Sequence, residues 1–397
     1  MEEFKLNLFK AYYLARKNKR NTYNQLKFEI NYESELLKLY NELISETYEI
    51  GKSIVFLVNK PVKREIFAAS FRDRVVHHLV YLYINPILDR QLIDDCYSCR
   101  KFKGTHYGIK KAEQYLKDVS LNFTNDAYVL KLDIQGFFMA IDKNILIEKL
   151  EKTFIRSDFL SDTIKKYGDV SYEMLWELIK KIVFNDPTGN CFIKSDFKDW
   201  EGLPGDKSLF KSRYKCGLPI GNLTSQLFSN VYLNDFDHYV KDFLGIEYYG
   251  RYVDDFYFMH SSKDYLKEIR AICEDYLQQN YRLKIHPKKI YLQHFTKGFS
   301  FLGTYIKPHR TYIGRRTKNT FKKKIFGFKM MLSQGHIDQK DLLMMRDTLN
   351  SYLGLMKHCH SFKLRFRTLV SDHPNSFYKY GFFNENLDKF TLFAHKI

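Results

Sequence analysis

Asp254 and Asp255 stand side by side inside GRYVDDFYFMH, residues 250–260, a run otherwise dominated by apolar and aromatic side chains. Burying an ionised carboxylate costs several kcal/mol unless a cation or hydrogen-bond donors compensate, and a second one beside it adds repulsion. The pair therefore needs a partner. In the simplest geometry, a hairpin, Tyr252 and Val253 end one strand, Phe256 to Met259 begin the next, and the acids occupy an exposed tip. Asp is also a common turn residue, so a plain polar turn fits this stretch alone.

A third acid bears on that choice. In NDAYVLKLDIQGFFMAIDKNILIEKLEK the pattern changes from strand period to helix period near Gly136, which places Asp133 near the C-terminal end of an apolar strand. Carboxylates are ligands that Mg²⁺ favours. Two such ions, about 3.5–4 Å apart, can run phosphoryl or nucleotidyl transfer, one activating the attacking oxygen and one stabilising the leaving pyrophosphate. Asp133 and Asp254 bridging both ions, with Asp255 as a nearby third acid, would compensate the charge that the apolar strands cannot.

Other elements must position these acids. Residues 1–50 read as helical from the spacing of Leu6, Phe9, Tyr13, Leu26, Ile30, Leu36, Leu37 and Tyr40, and a strand-like piece follows in SIVFLVNKPVKREIFAAS. An amphipathic helix is expected from Arg72 to Leu88, where His77 and His78 read as packing or phosphate neighbours, since no acid or third ligand completes a metal set. Residues 186–216 are rich in turn formers and predict an irregular loop or small lobe. The next helix has Asn222 or Thr224 as a candidate cap, and basic and apolar positions alternating from about Arg310 predict a small helical bundle. Of six cysteines only Cys96 and Cys99 have metal-like spacing; with no second pair, DDCYSCR reads as a reduced structural element.

The 397 residues carry 64 Lys and Arg against 46 Asp and Glu, a formal charge of +18, which points to an anionic polymer as partner. From Tyr276 to Ile337 there is no acid, and fourteen Lys and Arg lie between Arg282 and Lys329. Surface helices usually mix signs, so this stretch reads as a phosphate-contacting face. No segment is long and apolar enough to predict a membrane span, and the N-terminus has no basic head before an apolar core. A soluble cytoplasmic protein is expected.

LDIQGFF, GLPIGNLTSQ, YVDD, HPKKI and FSFLG follow one another in this chain, with KREIFAASFRDRVVHH upstream. Each block alone is weak, but in this order they resemble the sequence blocks of reverse transcriptases over most of the chain. The resemblance implies an α+β right-hand polymerase. Its parts would be fingers at 1–95, a first palm segment at 96–144, a fingers or irregular insertion at 145–216, a second palm segment with the YVDD hairpin at 217–305, and a basic helical thumb at 306–397. It implies Asp133, Asp254 and Asp255 as catalytic acids, with Ile134 counted beside them in the metal set. Two Mg²⁺ ions would be the cofactors, with Mn²⁺ as a substitute.

Arg64 falls on the fingers position that contacts the incoming triphosphate, where a guanidinium fork suits phosphate geometry, and Lys60 would assist. Phe138 falls beneath the sugar, where a bulky ring would select against a 2′-hydroxyl. Phe137, Ile220, Gly221, Gln226 and Lys289 complete the implied nucleotide site; core packing is the alternative for Phe138, one that Phe137 next door is expected to satisfy. Phe301, Leu302 and Gly303 match the primer-gripping turn. Arg315, Arg316, Lys318, Lys322 and Lys323 are the expected nucleic-acid contacts of the basic face.

Many reverse transcriptases carry Gln where this chain has Ile220 in GLPIGNLTSQ. An apolar residue there, with DPTGNCFIK and SLFKS, is similar to the enzymes of diversity-generating retroelements, which copy a template RNA into cDNA with errors at adenines and diversify a target gene. The implied partners are template RNA, primer or cDNA, deoxynucleoside triphosphates and a small basic accessory protein. Group II intron enzymes usually add segments after the thumb, whereas this chain ends soon after FSFLG. Retron and abortive-infection types remain alternatives within the family, and a non-catalytic RNA-binding scaffold is the alternative outside it.

Overall fold

Apolar residues on two faces of the first helices leave their phase open, and tertiary contacts choose it. The computed structural model describes residues 2–17, 21–59, 62–156, 171–333, 337–371 and 377–394. Helices Glu2–Arg16, Tyr23–Ile30 and Tyr32–Ile44 bury Phe4, Leu8, Tyr12, Phe28, Leu36, Leu39, Tyr40 and Leu43. Leu6, Tyr13, Leu26, Ile30 and Leu37 are exposed, Ile30 to 78%, so only Leu36 and Tyr40 of the expected face are buried. Aromatic packing sets the phase: Tyr12 and Phe28 meet Phe71, and Phe4 meets Tyr83, both on the helix Phe71–Gln91.

The chain divides into two compact units. One holds Met1–Gly104, Lys131–Tyr257 and Lys267–Ile290; the other holds Thr105–Leu130, Phe258–Leu266 and Tyr291–Ile397. In the first, strands β1 (Ser53–Val58) and β2 (Arg64–Ala68) form an antiparallel hairpin. The helix Phe71–Gln91 starts on Ser70, whose Oγ accepts the Asp73 N–H while the Asp73 carboxylate accepts back from that hydroxyl. On this helix burial pushes the His77 imidazole down to about 3, which keeps it neutral, and its Nδ1 lies 2.6 Å from Thr224 Oγ1.

Strand β3 (Tyr128–Asp133) comes next along the chain. β4 (Cys191–Ile193) adds to β1 in parallel, so the turn-rich stretch holds one short strand and then short 3₁₀ turns. One buried acid organises that stretch. Glu65 on β2 accepts from Trp200 Nε1 at 2.6 Å, Ser208 Oγ at 2.8 Å and the Leu209 N–H at 2.5 Å. Leu209 in turn joins Val55, Phe67 and Met139 in a small core, against which Phe138, Trp200 and Ile220 pack.

Strands β5 (Tyr249–Tyr252), β6 (Asp255–His260) and β7 (Tyr291–His294) join β3 in a four-stranded sheet of order β5-β6-β3-β7. In the second unit, β8 (Phe299–Phe301), β9 (Thr304–Lys307) and β10 (Arg310–Ile313) form an antiparallel meander. Its helices Arg315–Ser333 and Gln339–Met356 pack Phe321, Ile325, Phe328, Met345, Leu349 and Leu353 into one core. The expected bundle is therefore present, with a hairpin of β11 (Gly381–Phe383) and β12 (Phe390–Leu392) in addition. Asn384 closes that hairpin by accepting the Asp388 and Lys389 N–H groups on Oδ1. No helix among the described residues is long and apolar enough to cross a membrane.

Glu65→Ala strands three donors at once, two of them buried, and should lower unfolding stability by about 3 kcal/mol. Urea denaturation followed by tryptophan fluorescence measures it; a loss under about 1 kcal/mol would show that these donors are satisfied without the carboxylate.

Candidate active site

Two strand ends bring the acids together. Asp133 is the last residue of β3, and Val253 and Asp254 turn the chain between β5 and β6, on which Asp255 is the first residue. The Ile134 N–H donates to the Asp254 carbonyl at 3.2 Å, and the His286 N–H donates to the Asp133 carbonyl at 2.8 Å. Backbone bonds thus fix both acid-bearing segments to one another and to Leu283–His286. The acids are half-buried, not at an exposed tip, because the neighbouring peptides cover the turn.

Lysines face two of them. Lys289 Nζ donates to Asp133 Oδ1 at 2.7 Å, and Lys131 Nζ lies 3.0 Å from Asp255 Oδ1, which has no other donor. Asp254 has no ion-pair partner among the described residues. Burial first, and then the charge of Asp133, push its carboxyl up to about 6, with Asp255 adding to the effect. Burial also raises Asp255, against the opposing pull of Lys131. Among the described residues no three His, Cys, Asp or Glu side chains converge closely enough to hold an ion. The donor chemistry nevertheless suits a hard cation: oxygen ligands short of compensating charge, with two mobile ammonium groups in its place.

Immediately after β3, Gly136 takes φ +56°, and a Cβ there would sit 2.5 Å from the Asp206 carbonyl oxygen. Only glycine fits such a position without displacement. This turn sends Phe137 into the core at 2% exposure and leaves Phe138 half-buried in the cluster that also holds Ile220. The Ile220 carbonyl accepts the Phe67 N–H at 2.9 Å, and Gly221, at φ +128°, passes against Ile66 and Phe67. Gln226 is exposed, its Oε1 3.2 Å from Cys99 Sγ. Arg64 is exposed at the start of β2; Lys60 lies outside the described residues. Asn222 occupies the cap position of the helix Leu223–Tyr232 but does not cap it with its side chain, which accepts the Ala69 N–H instead.

In the second unit, Phe301 is buried on β8, and Leu302 and Gly303 form the tight turn to β9, both with positive φ. Arg315, Arg316, Lys318, Lys322 and Lys323 are exposed on the helix whose opposite face carries Phe321, Ile325 and Phe328.

Sequence reasoning did not single out what lies beneath the YVDD turn. Arg251 is fully buried and pairs with the equally buried Asp237, its Nε at 2.7 Å from Oδ1 and its Nη2 at 2.5 Å from Oδ2. Its Nη1 donates to the Val253 carbonyl at 3.0 Å. The sequence hints only that Arg251 shares an apolar run with the acids, since its partner Asp237 lies on another element. Lys131, on β3 two residues before Asp133, was also overlooked.

A model of the reverse transcriptase (RNA-dependent DNA polymerase) family matches residues 59–306. Protein YkfC of Escherichia coli strain K12 is 22% identical over 303 residues, covering 68% of this chain and 70% of that protein. Among solved structures, a telomerase from Candida albicans in complex with a TWJ fragment of telomeric RNA is 14% identical with a TM-score of 0.47, covering 87% of this chain. Apo telomerase from Candida tropicalis is 14% identical with a TM-score of 0.48. This chain spans 60% of the first telomerase chain and 65% of the second. With its family model matched from just after β1 into β9 and its helices mixed with antiparallel sheets, the chain has the α+β right-hand polymerase fold and belongs to the reverse transcriptase family.

Proposed function

We propose that this chain copies an RNA template into cDNA by two-metal nucleotidyl transfer, and that it serves a diversity-generating retroelement. One observation carries the catalytic part: Asp254, in a half-buried turn and with no ion-pair partner among the described residues, accepts through its backbone carbonyl from Ile134, the residue after Asp133. Bound Mg²⁺, or Mn²⁺ in its place, would activate the primer 3′-hydroxyl and stabilise the leaving pyrophosphate. Asp133 and Asp254 hold the ions, with Asp255 beside them and Ile134 supplying backbone to the same site. Lys289 and Lys131, which meet Asp133 and Asp255, are the cations that such ions would replace.

Arg64, with Lys60, takes the triphosphate; Phe138 lies under the sugar, and Ile220, Gly221 and Gln226 line the nucleotide site, with Phe137 packed in the core beside Phe138. Phe301, Leu302 and Gly303 grip the primer. The basic helix from Arg315 contacts the duplex phosphates through Arg316, Lys318, Lys322 and Lys323 as well. A small basic accessory protein completes the complex. The finer assignment rests on Ile220, whose apolar side chain offers no hydrogen bond to the nascent base pair and so loosens selection there.

Primer extension tests the catalytic part: Asp254→Asn should lose at least about a hundredfold in rate while template affinity stays within about threefold. Equal synthesis by both forms would refute it, and binding without synthesis by the native chain would favour the scaffold alternative.

The same residue sets a pH dependence. Its folded pKa of about 6 lies above the roughly 3.9 of an unfolded Asp, so its stabilising contribution is complete below about pH 4 and is lost as pH rises through 6. In metal-free protein at pH 7.5, Asp254→Asn should therefore melt a few degrees higher than the native chain, and at pH 4 the two should melt together. Differential scanning calorimetry at the two pH values decides it.

Sequencing cDNA made by Ile220→Gln should show fewer errors opposite template adenines; an unchanged error spectrum would count against the retroelement assignment. Affinity for template–primer should fall steeply with salt, and Arg315→Ala with Arg316→Ala should reduce the slope of log K against log salt by about 1 for each phosphate contact removed. A flat salt response would relocate the binding face.

A further inference from the structure

Val253 is branched at Cβ yet has φ +58°, a conformation that such residues hold only where their surroundings impose it. Both hydrogen-bonding groups of this residue are held from the core. Ser98 Oγ accepts the Val253 N–H at 3.3 Å and donates to Asn230 Oδ1 at 2.8 Å, while Asn230 Nδ2 donates back to the Ser98 carbonyl at 2.8 Å. On the other side, the Val253 carbonyl accepts from Arg251 Nη1, whose remaining nitrogens are spent on Asp237. Ser98, Asn230, Asp237 and Arg251 are each at most 1% exposed.

The segment that carries Ser98 is itself pinned. The Tyr97 N–H donates to the Arg251 carbonyl, and the Arg251 N–H to the Asp95 carbonyl, both at 2.9 Å. Cys96, buried in the same DDCYSCR segment, lies 3.4 Å from Arg251 Nη2. This motif, which the polymerase reading leaves without a task, is a strap along β5 that ends on the turn.

We infer that Ser98, Asn230 and Arg251 form a clamp on Val253: positioning residues that fix the direction of the Asp254 carboxylate and thereby the affinity of the acids for divalent ions. The inference rests on the metal-dependent reading above. The dihedral angles of Val253 orient the Cα–Cβ bond of the next residue, so a turn free to relax from φ +58° would swing Asp254 away from the end of β3. None of the clamp side chains needs to touch an ion or a nucleotide.

The test uses the full chain and Ser98→Ala, which removes the hydroxyl linking Asn230 to the Val253 N–H. Mn²⁺ binding is measured by calorimetry, and Mg²⁺-dependent primer extension is measured per active site counted from the burst. Ser98→Ala should weaken Mn²⁺ binding and raise the half-saturating Mg²⁺ concentration by about tenfold, with the nucleotide KM at saturating Mg²⁺ within about twofold of native. In Ser98→Ala/Val253→Gly, glycine takes the left-handed conformation without strain, and the metal dependence should move back toward the native value.

Native metal affinity per active site in Ser98→Ala, even with a lowered melting temperature, would make these residues merely structural and overturn the clamp. If Ser98→Ala does not fold, Asn230→Ala, which leaves the Ser98 hydroxyl unoriented, gives the same reading. A native chain that binds Mn²⁺ but extends no primer would sink the polymerase reading alone, since the calorimetry still judges the clamp.

Discussion

The Arg251–Asp237 pair is the interaction on which the geometry of the candidate site depends. Both side chains are withdrawn from water, and desolvating two charges can cost more than their attraction returns. Hydrophobic residues of similar volume could fill the same space at no loss of stability, so the pair is better understood through direction than through energy. A guanidinium has five N–H donors in a fixed plane, and two here meet one carboxylate while a third reaches a particular carbonyl. The Tyr249 hydroxyl, donating to Asp237 at 2.6 Å, holds the carboxylate in the same plane. A greasy core could not specify which way the Val253 carbonyl points.

Above this rigid base the charges are arranged in the opposite manner. Lys289 is 48% exposed and Lys131 20% exposed, and each meets its acid through a long, flexible stem. Such pairs are easily exchanged for another cation, because the ammonium returns to water at little cost. Asp254 has no such partner among the described residues, and burial first, then the charge of Asp133, raises its pKa. The site thus combines an immobile turn with displaceable counter-charges, the combination that reversible binding of a hard divalent ion requires.

Legibility from sequence followed a simple physical line. Asp133 stood out because no turn explains a carboxylate that ends an apolar strand, whereas Asp254 and Asp255 also fitted a plain polar turn, and the change of period at Gly136 located the strand end. The helix expected from Arg72 to Leu88 was readable from its local amphipathic pattern, and it spans Phe71–Gln91. The phase of the first helices was not, since Leu6 and Phe4 are equally apolar and only packing against Tyr83 and Phe71 selects between them. Asn222 failed as a side-chain cap for a related reason: the Ala69 N–H, far away in the sequence, competes for the same oxygen.

Arg251 shows where such reading stops. A basic residue in a strand is ordinarily assigned to the solvent face, and the partner that reverses this assignment lies on another element. Its second contact, to the carbonyl of Val253, is a backbone interaction that leaves no mark on residue identity at the accepting position. Ser98 and Asn230 are quieter still, being small polar residues of types that occur everywhere. Side chains that perform chemistry are conspicuous because their charge must be tolerated. Those that aim them are chosen for shape and hydrogen-bond direction, and these become visible only once the fold has placed donor against acceptor.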